Sequence, residues 1–327
     1  MLAGCQPDTV PNVASPSQDV SEQPAAGFTN PVYAENFPDP MIVKGSGGNY
    51  LAISTNGHGK NVQTLVSADL TSWTPGPDAL PKLPSWSSPG KVWAPEVATH
   101  TDDRYVMYYT TKAPRPEIQC IGVAVASTPE GPYADRSAGP LICEEDEGGS
   151  IDAHPFTASD GTRYLYWKND GNAVGVDTYI SVQQLDAAGT KLIGRPSRLF
   201  KQDLPWEGTL VEGPFVWENG GRFHMFYSAN AFYSGAYAVG HAVADSPLGP
   251  FTKEAEPILV TNDVAAGPGH CALFEKDGKV WMVYHAWQPG FVGDESPGRM
   301  MWLSEVEFTP EGSVTVVPPT VDYPDRP

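Results

Sequence analysis

Positive charge and long apolar segments are both scarce in this chain of 327 residues. Lysine and arginine total 20 against 39 aspartates and glutamates, which gives a formal net charge of −19 at pH 7. No basic stripe that could bind phosphates is found, so nucleic acid and acidic polymers are excluded as partners. No apolar segment is long enough to cross a membrane. Neutral ligands remain.

Helical periodicity is also hard to find, whereas 33 glycines and 33 prolines mark many turns. Hydrophobic residues make up 40% of the chain and aromatic residues 11%, so the chain can still bury a large core. This combination is typical of an all-β protein with short strands and many turns.

One pattern recurs five times along the chain. A proton-active residue lies in or just ahead of a first apolar strand, and an aromatic-rich second strand and then a third strand follow. The five residues are Asp39, Glu96, Asp152, Glu212 and His270, at intervals of 57, 56, 60 and 58 residues by subtraction of these numbers. A fixed long period of short strands predicts a five-bladed β-propeller over residues 27–327, with one repeat per blade.

The first strand of every propeller blade lines the central axis, so these five side chains are expected to converge. Carboxylates that crowd one end of a channel repel one another and shift each other's pKa values, which is costly unless the cluster has a use. The pattern therefore predicts acid–base catalysis or a cation site at one end of the channel.

The loops between second and third strands, and the segments that enter the first strands, surround the same end of the channel. Flat aromatic rings and polar groups around an acidic pocket suit a sugar, whose C–H face stacks on rings and whose hydroxyls need hydrogen bonds. The candidate substrate-binding residues are Phe37, Trp93, Asn169, Trp206, Phe232 and Arg299.

The N-terminus contains Leu2-Ala3-Gly4-Cys5, the residue pattern of a bacterial lipobox, in which the cysteine is acylated after processing. Residues 1–26 are interpreted as the remnant of the lipobox and a flexible tether. This predicts an exported lipoprotein, periplasmic or at the cell surface, held to a membrane by lipid on Cys5 alone. A chance occurrence of these four residues is the alternative.

Export would permit disulfides. Cys120 precedes one strand of blade two, and Cys143 ends a segment that should return antiparallel beside it, so a bridge between them is geometrically plausible. Cys271 lies next to the predicted axis and is expected to be a buried, small apolar residue.

Five motifs resemble glycoside hydrolase family 43, from about Asn30 to Thr320. They are PDP, WAPE, SIDAHPF with YLYWKND, VEGPF and GPGH, in that order. The resemblance implies a five-bladed propeller that hydrolyses α-L-arabinofuranosides or β-D-xylosides with inversion. It also implies that Asp39 is the general base, Glu212 the general acid, and Asp152 the residue that orients and tunes the acid.

Inversion requires an acid and a base about 6.5–9.5 Å apart on opposite faces of the sugar. Inner strands of non-adjacent blades, which carry Asp39 and Glu212, can provide that gap. Burial and an anionic Asp152 would raise the pKa of Glu212, while Asp39 must stay ionised.

The remaining members of the pattern have weaker catalytic cases. Glu96 is expected to have a structural role. His270 resembles an axial histidine of the family that contacts a channel metal, commonly calcium, mostly through waters; a histidine satisfied without metal is the alternative. No cofactor is required for the chemistry. Arg299 resembles a family arginine near the bound sugar, which could hold a hydroxyl or orient a carboxylate.

The segments NPVYAENFPDP, CIGVA, YLYWKNDG, WEGTLVEGPF and YAVGHAV are most similar to exo-acting α-1,5-L-arabinofuranosidases within the family. Ala153 and the form GPGH depart from that subgroup. The prediction is a monomer that releases terminal arabinofuranosyl units from arabinan or arabino-oligosaccharides. A β-D-xylosidase, a non-catalytic glycan-binding surface lipoprotein and a protein-interaction propeller are the alternatives.

Overall fold

A computed structural model describes residue 1 and residues 27–100, 104–309 and 312–323. The lipobox, Cys5 and nearly all of the tether expected over 1–26 lie outside the described residues. Five antiparallel sheets follow one another along the chain, so the prediction of a five-bladed β-propeller is confirmed. None of the helices within the described ranges has the length and apolar character needed to span a membrane.

Each blade is one sheet whose strands run outward from the axis in chain order, β2–β5, β6–β8, β9–β12, β13–β16 and β17–β20 for blades one to five. The strands are β1 (Phe28–Thr29), β2 (Met41–Lys44), β3 (Tyr50–Ser54), β4 (Gln63–Ser67), β5 (Thr74–Pro75), β6 (Trp93–Thr99), β7 (Tyr105–Lys112), β8 (Gln119–Ala126), β9 (Ser150–Thr157), β10 (Arg163–Asn169), β11 (Tyr179–Leu185), β12 (Leu192–Lys201), β13 (Val211–Asn219), β14 (Arg222–Ala229), β15 (Ala238–Ala244), β16 (Thr252–Lys253), β17 (Ala266–Lys276), β18 (Lys279–Trp287), β19 (Arg299–Phe308), β20 (Val314–Val316) and β21 (Asp322–Tyr323). Four single-turn 3₁₀ helices, Ser46–Gly48, Glu145–Glu147, Gly171–Ala173 and Pro205–Glu207, interrupt the connections.

The second strands supply most of the large side chains between blades. Tyr108, Tyr109, Tyr166, Trp167 and Tyr227 are fully buried on β7, β10 and β14. Because successive residues of a strand point to opposite faces, neighbouring aromatic residues fill the gaps on both sides of a blade. The aromatic-rich second strand of each repeat thus packs the ring of blades together.

The N-terminal segment closes the ring against blade five. Strand β1 pairs with β21, and Tyr33 pairs with Met301 of β19. Between them, the buried Asn30 side chain donates to the carbonyls of Leu303 and Thr320, at 2.8 and 3.1 Å, and accepts the Leu303 N–H at 3.0 Å. Asn30 therefore joins the entering chain to the last blade.

At an equivalent point near the start of every inner strand lies a residue with positive φ, and β17 has a second such residue in Gly267. The equivalent residues are Asp39, Ala94, Asp152, Gly213 and His270, with φ of 56, 41, 57, 56 and 47°. The residue two positions later opposes an equivalent point of the second strand in each blade, in the pairs Met41 with Ile53, Glu96 with Tyr108, His154 with Tyr166, Phe215 with Phe226 and Ala272 with Val283. The five positive-φ residues are therefore structurally equivalent, and we call them the entry residues.

This register corrects part of the sequence interpretation. Glu96 does not share the position of Asp39, because Ala94 occupies it and Glu96 lies two residues deeper in the channel. Glu212 precedes its entry residue, Gly213, by one position. Asp39, Asp152 and His270 are themselves entry residues.

Within the described residues, blade two has three regular strands, and an irregular segment completes its outer edge. Ile142 pairs with Ile121 of β8, and Cys143 and Cys120 are joined in a disulfide with their Cα atoms 4.7 Å apart. Cys271 is buried and free, and burial raises the pKa of its thiol.

Replacement of Asn30 by alanine is expected to open the ring closure. It removes three hydrogen bonds and leaves buried backbone groups unpaired, so the free energy of unfolding should fall by about 3 kcal/mol. Urea unfolding followed by tryptophan fluorescence measures this, with Asn172→Ala, at an exposed loop position, as the control. Equal stability of the two variants would show that the contacts of Asn30 do not hold the ring closed.

Candidate active site

Asp39 is the most strongly held carboxylate in the channel. Its Oδ1 lies 2.9 Å from Nη1 of Arg299 and its Oδ2 accepts the Thr55 hydroxyl at 2.5 Å. Nδ1 of His285 lies 3.3 Å from Oδ1 and accepts the Asp39 N–H at 3.1 Å. Burial alone would raise the pKa of Asp39, but Arg299 above all, together with His270, holds it well below its usual range. Asp39 is therefore ionised at neutral pH.

Arg299 connects this carboxylate to the rim of the site. Its guanidinium lies over the ring of Phe232, 4.6 Å from the centroid, while Nη1 contacts Asp39. The backbone carbonyl of Phe232 accepts the indole N–H of Trp287 at 2.8 Å. The loop that carries Phe232 thus fixes the position of the cation beside Asp39.

Glu212 has two polar partners at the start of β13. Its Oε1 accepts the hydroxyl of Tyr237 at 2.8 Å, and its Oε2 lies 3.1 Å from Nζ of Lys168. Lys168 is fully buried, and its Nζ also lies 3.6 Å from Oδ1 of Asp170. The carboxyl of Glu212 is thereby fixed from two sides.

Asp152 lies beside the backbone of Glu212. Its Oδ2 accepts the N–H of Gly213 at 3.0 Å, and its own N–H donates to the Thr110 hydroxyl at 3.1 Å. The pKa of Asp152 is raised to about 7, chiefly by burial and also by Glu212 and Asp39, against the opposing effects of His270 and Lys168. Asp152 therefore holds its proton to much higher pH than an exposed aspartate.

His270 lies between the two halves of this cluster. Its Nδ1 is 3.6 Å from Oδ1 of Asp39, and its N–H donates to the Ser228 hydroxyl at 2.7 Å. Burial opposes a charge on the imidazole, but Asp39, Asp152 and Glu212 raise its pKa overall. The histidine complements the carboxylates electrostatically.

A calcium ion at His270 stays a prediction. Among the described residues, no group of three or more His, Cys, Asp and Glu side chains is placed to hold a metal. A single imidazole that faces a carboxylate does not fit the oxygen-rich site that calcium prefers. No step below depends on a metal.

Glu96 is bound by a buried histidine. Its Oε2 is 2.6 Å from Nδ1 of His154, which in turn packs on Phe215 with ring centroids 4.3 Å apart. This buried pair fills the channel beneath the entry residues. The arrangement matches the structural role expected for Glu96.

The candidate substrate-binding residues divide into buried and rim positions. Phe37 and Asn169 are 1% exposed. Phe37 packs on Tyr33, and the Asn169 amide accepts the Tyr179 N–H and donates to the Asp177 carbonyl. They shape the site from beneath.

Trp93, Trp206 and Arg299 are half-buried at the channel end, and Phe232 is 40% exposed at the rim. Direct contact of any of these residues with a sugar stays a prediction.

Sequence reasoning missed several residues that contact the carboxyls, namely Thr55, Lys168, Tyr237 and His285. Lys168 and His285 lie near the ends of second strands, Thr55 directly follows one, and Tyr237 precedes a third strand. None of them is at the position where the repeat has a proton-active residue. Lys168 and His285 lie where other blades have threonine or serine, and this contrast was visible in the sequence.

The family model for Glycosyl hydrolases family 43 matches residues 28–314. The chain belongs to this family. It is a glycosidase with a propeller whose channel end carries Asp39, Asp152 and Glu212.

Two curated relatives are similar to this chain along most of their own length. A β-D-galactofuranosidase (xynD) of Aspergillus niger is 29% identical over 90% of this chain and 86% of its own. An extracellular exo-α-(1→5)-L-arabinofuranosidase of Streptomyces avermitilis is 27% identical over 93% of this chain and 68% of its own. The crystal structure of a thermostable family-43 glycoside hydrolase, 29% identical, covers 92% of this chain and 100% of its own with a TM-score of 0.81.

Replacement of Arg299 by methionine is expected to raise the pKa of Asp39 by about 1–3 units, because a buried carboxylate loses its closest cation. If hydrolysis requires ionised Asp39, the acidic limb of kcat/KM for an aryl glycoside moves to higher pH by the same amount. The exposed Arg136→Met on blade two is the control. An acidic limb identical to that of the unmodified protein would contradict this role of Arg299.

Proposed function

We propose that this glycosidase is an inverting exo-acting α-L-arabinofuranosidase that releases terminal units from arabinan or arabino-oligosaccharides. The observation that carries the proposal is the electrostatic asymmetry of the site. Arg299 keeps Asp39 ionised, whereas the pKa of Asp152, beside Glu212, rises to about 7 through burial and the neighbouring carboxyl. Environments that push carboxyl pKa values apart are how a single site provides both a base and an acid.

Asp39 is the proposed general base. The ionised carboxylate accepts a proton from a water molecule, whose oxygen forms a bond to the anomeric carbon. The Thr55 hydroxyl and Arg299 fix the carboxylate, so it needs no reorganisation before it acts. The incoming oxygen takes the face opposite the leaving group, which inverts the configuration.

Glu212 is the proposed general acid. It transfers a proton to the glycosidic oxygen as the bond between that oxygen and the anomeric carbon breaks. Asp152 supports it by accepting the N–H of Gly213, which orders the backbone beside Glu212. After product release, Asp39 loses its proton to solvent and Glu212 regains one from solvent.

The arabinofuranoside preference rests on the segments quoted above and on similarity to the Streptomyces enzyme. Similarity to the Aspergillus enzyme favours a second candidate, a β-D-galactofuranosidase. Both substrates present a five-membered ring, and galactofuranose adds an exocyclic diol where arabinofuranose has a hydroxymethyl group. A β-D-xylosidase is the third candidate.

Export is also part of the proposal. One relative is named as extracellular, and disulfides such as Cys120–Cys143 persist in oxidising compartments. Lipid on Cys5 and a monomeric state remain predictions.

Nitrophenyl α-L-arabinofuranoside, β-D-galactofuranoside and β-D-xyloside are the test substrates, together with α-1,5-linked arabino-oligosaccharides. The arabinosides are expected to have the highest kcat/KM. Glu212→Gln should lower kcat/KM about 100- to 10,000-fold on oligosaccharides, and less on the nitrophenyl arabinoside, because nitrophenol leaves with little help from an acid.

The matched control is Glu218→Gln, at the outer end of the same strand, where the carboxylate binds Ser159. Faster turnover of the galactofuranoside or the xyloside would replace the sugar assignment. An equal loss on both leaving groups would remove Glu212 from the role of general acid.

A further inference from the structure

Four of the five blades hold the next blade by the same kind of hydrogen bond. The acceptor is the side chain two residues after the second-strand member of the register pair. The donor is the backbone N–H of the entry residue in the next blade of the ring. Thr55 accepts from Ala94, Thr110 from Asp152, Ser228 from His270 and His285 from Asp39, at 2.8, 3.1, 2.7 and 3.1 Å. We call these contacts the blade latches.

Blade three departs from this rule. Its equivalent residue is Lys168, opposite Ile151 of β9, and an ammonium group has no lone pair with which to accept an N–H. The N–H of the next entry residue, Gly213, goes to Oδ2 of Asp152, and the N–H of Val211 goes to the Thr178 hydroxyl at 2.9 Å. The backbone around Glu212 is therefore held without Lys168.

The lysine is costly where it stands. It is fully buried, and a buried ammonium destabilises a protein unless it is paired with carboxylates. A threonine, a serine or a neutral histidine forms the latch elsewhere in the ring without a buried charge. Nζ of Lys168 lies 3.1 Å from Glu212 and 3.6 Å from Asp170, so the lysine interacts with the carboxyl cluster and not with the backbone of the next blade.

We propose that Lys168 is a positioning residue for the general acid, whose ammonium fixes the Glu212 carboxyl and supplies a buried positive charge to the Asp152–Glu212 pair of carboxyls. This inference rests on the proposed function of Glu212. The charged groups that face Lys168 are Glu212, Asp170 and Asp152, and those that face the pair from other elements are Asp39, Tyr237 and His270.

The electrostatics agree with the geometry. Burial raises the pKa of Asp152, and the positive charge of Lys168 is one of the influences that lower it. Removal of the ammonium should therefore let Asp152 keep its proton to higher pH. Misplacement of Glu212 should lower turnover at the same time.

The test compares Lys168→Met, Lys168→Thr and Lys168→Arg with the unmodified protein on whichever aryl glycoside the protein cleaves. In the two neutral variants, the alkaline limb of kcat/KM is expected to move up by about 1–2 pH units. Their kcat should fall about 10- to 100-fold, with a smaller change in KM. Arginine keeps the charge, so it should keep the alkaline limb and restore part of kcat. The threonine variant has the side chain that other blades tolerate at this position.

Asp170→Asn provides a shift of opposite sign. Without the Asp170 carboxylate, Glu212 is the remaining carboxylate in contact with the Lys168 ammonium, and one negative charge near the site is gone. The alkaline limb of kcat/KM should therefore move to lower pH. An unmoved limb in both neutral lysine variants, or unchanged kcat, would overturn the proposal, as would a limb that moves up in Asp170→Asn.

Thermal unfolding between pH 5 and 9 tests the same charge without substrate. The pKa of Asp152 is raised from 3.8 to about 7, so between these values the native state binds a proton that the unfolded state has lost. The stability that this proton contributes is lost as the pH rises through the folded pKa of about 7. In Lys168→Met the fall should extend to higher pH; an unchanged profile would overturn the proposal. Failure of the unmodified protein to cleave any aryl glycoside would refute the proposed function, and the unfolding profiles would still decide the electrostatic role of Lys168.

Discussion

The positive-φ entry to each inner strand is the constraint on which the site depends. For residues other than glycine this conformation is costly, and it persists only where the surroundings hold it. Here a latch from the preceding blade holds the N–H of the entry residue in four blades, and Asp152 of blade three holds that of Gly213, so the position of each inner strand is set by its neighbour in the ring. Closure through Asn30 completes the circle and thereby fixes Asp39 against His285 and Arg299.

The same constraint explains why the carboxyls differ although they share one channel. Asp39 contacts the guanidinium of Arg299, on β19, and lies near two imidazoles. Asp152 accepts a backbone N–H and lies near another carboxyl. The surplus of negative charge in the chain does not produce this difference. It arises from which blade faces which carboxyl, and it gives a single site both an anion and a stored proton.

The repeat of short strands was readable from the sequence because one strand-rich unit recurs at a nearly constant spacing. Asp39, Asp152 and His270 were placed correctly, since an entry residue is followed at once by an apolar strand. Glu96 was assigned the wrong register because the pattern followed acidic letters, whereas the backbone follows the positive-φ position that Ala94 occupies. Lys168 was missed because a polar residue at the end of an aromatic strand has no meaning until the same position is compared across blades.

The proposed mechanism depends most on opposed roles for Asp39 and Glu212. The most direct test is ¹H NMR of the sugar released in the first minutes of hydrolysis of an α-L-arabinofuranoside, before mutarotation equilibrates the anomers. A base that activates water on the face opposite the acid predicts that the β anomer of arabinofuranose appears first. First appearance of the α anomer would mean retention through a covalent intermediate, and would contradict the assignment of Asp39 as a general base.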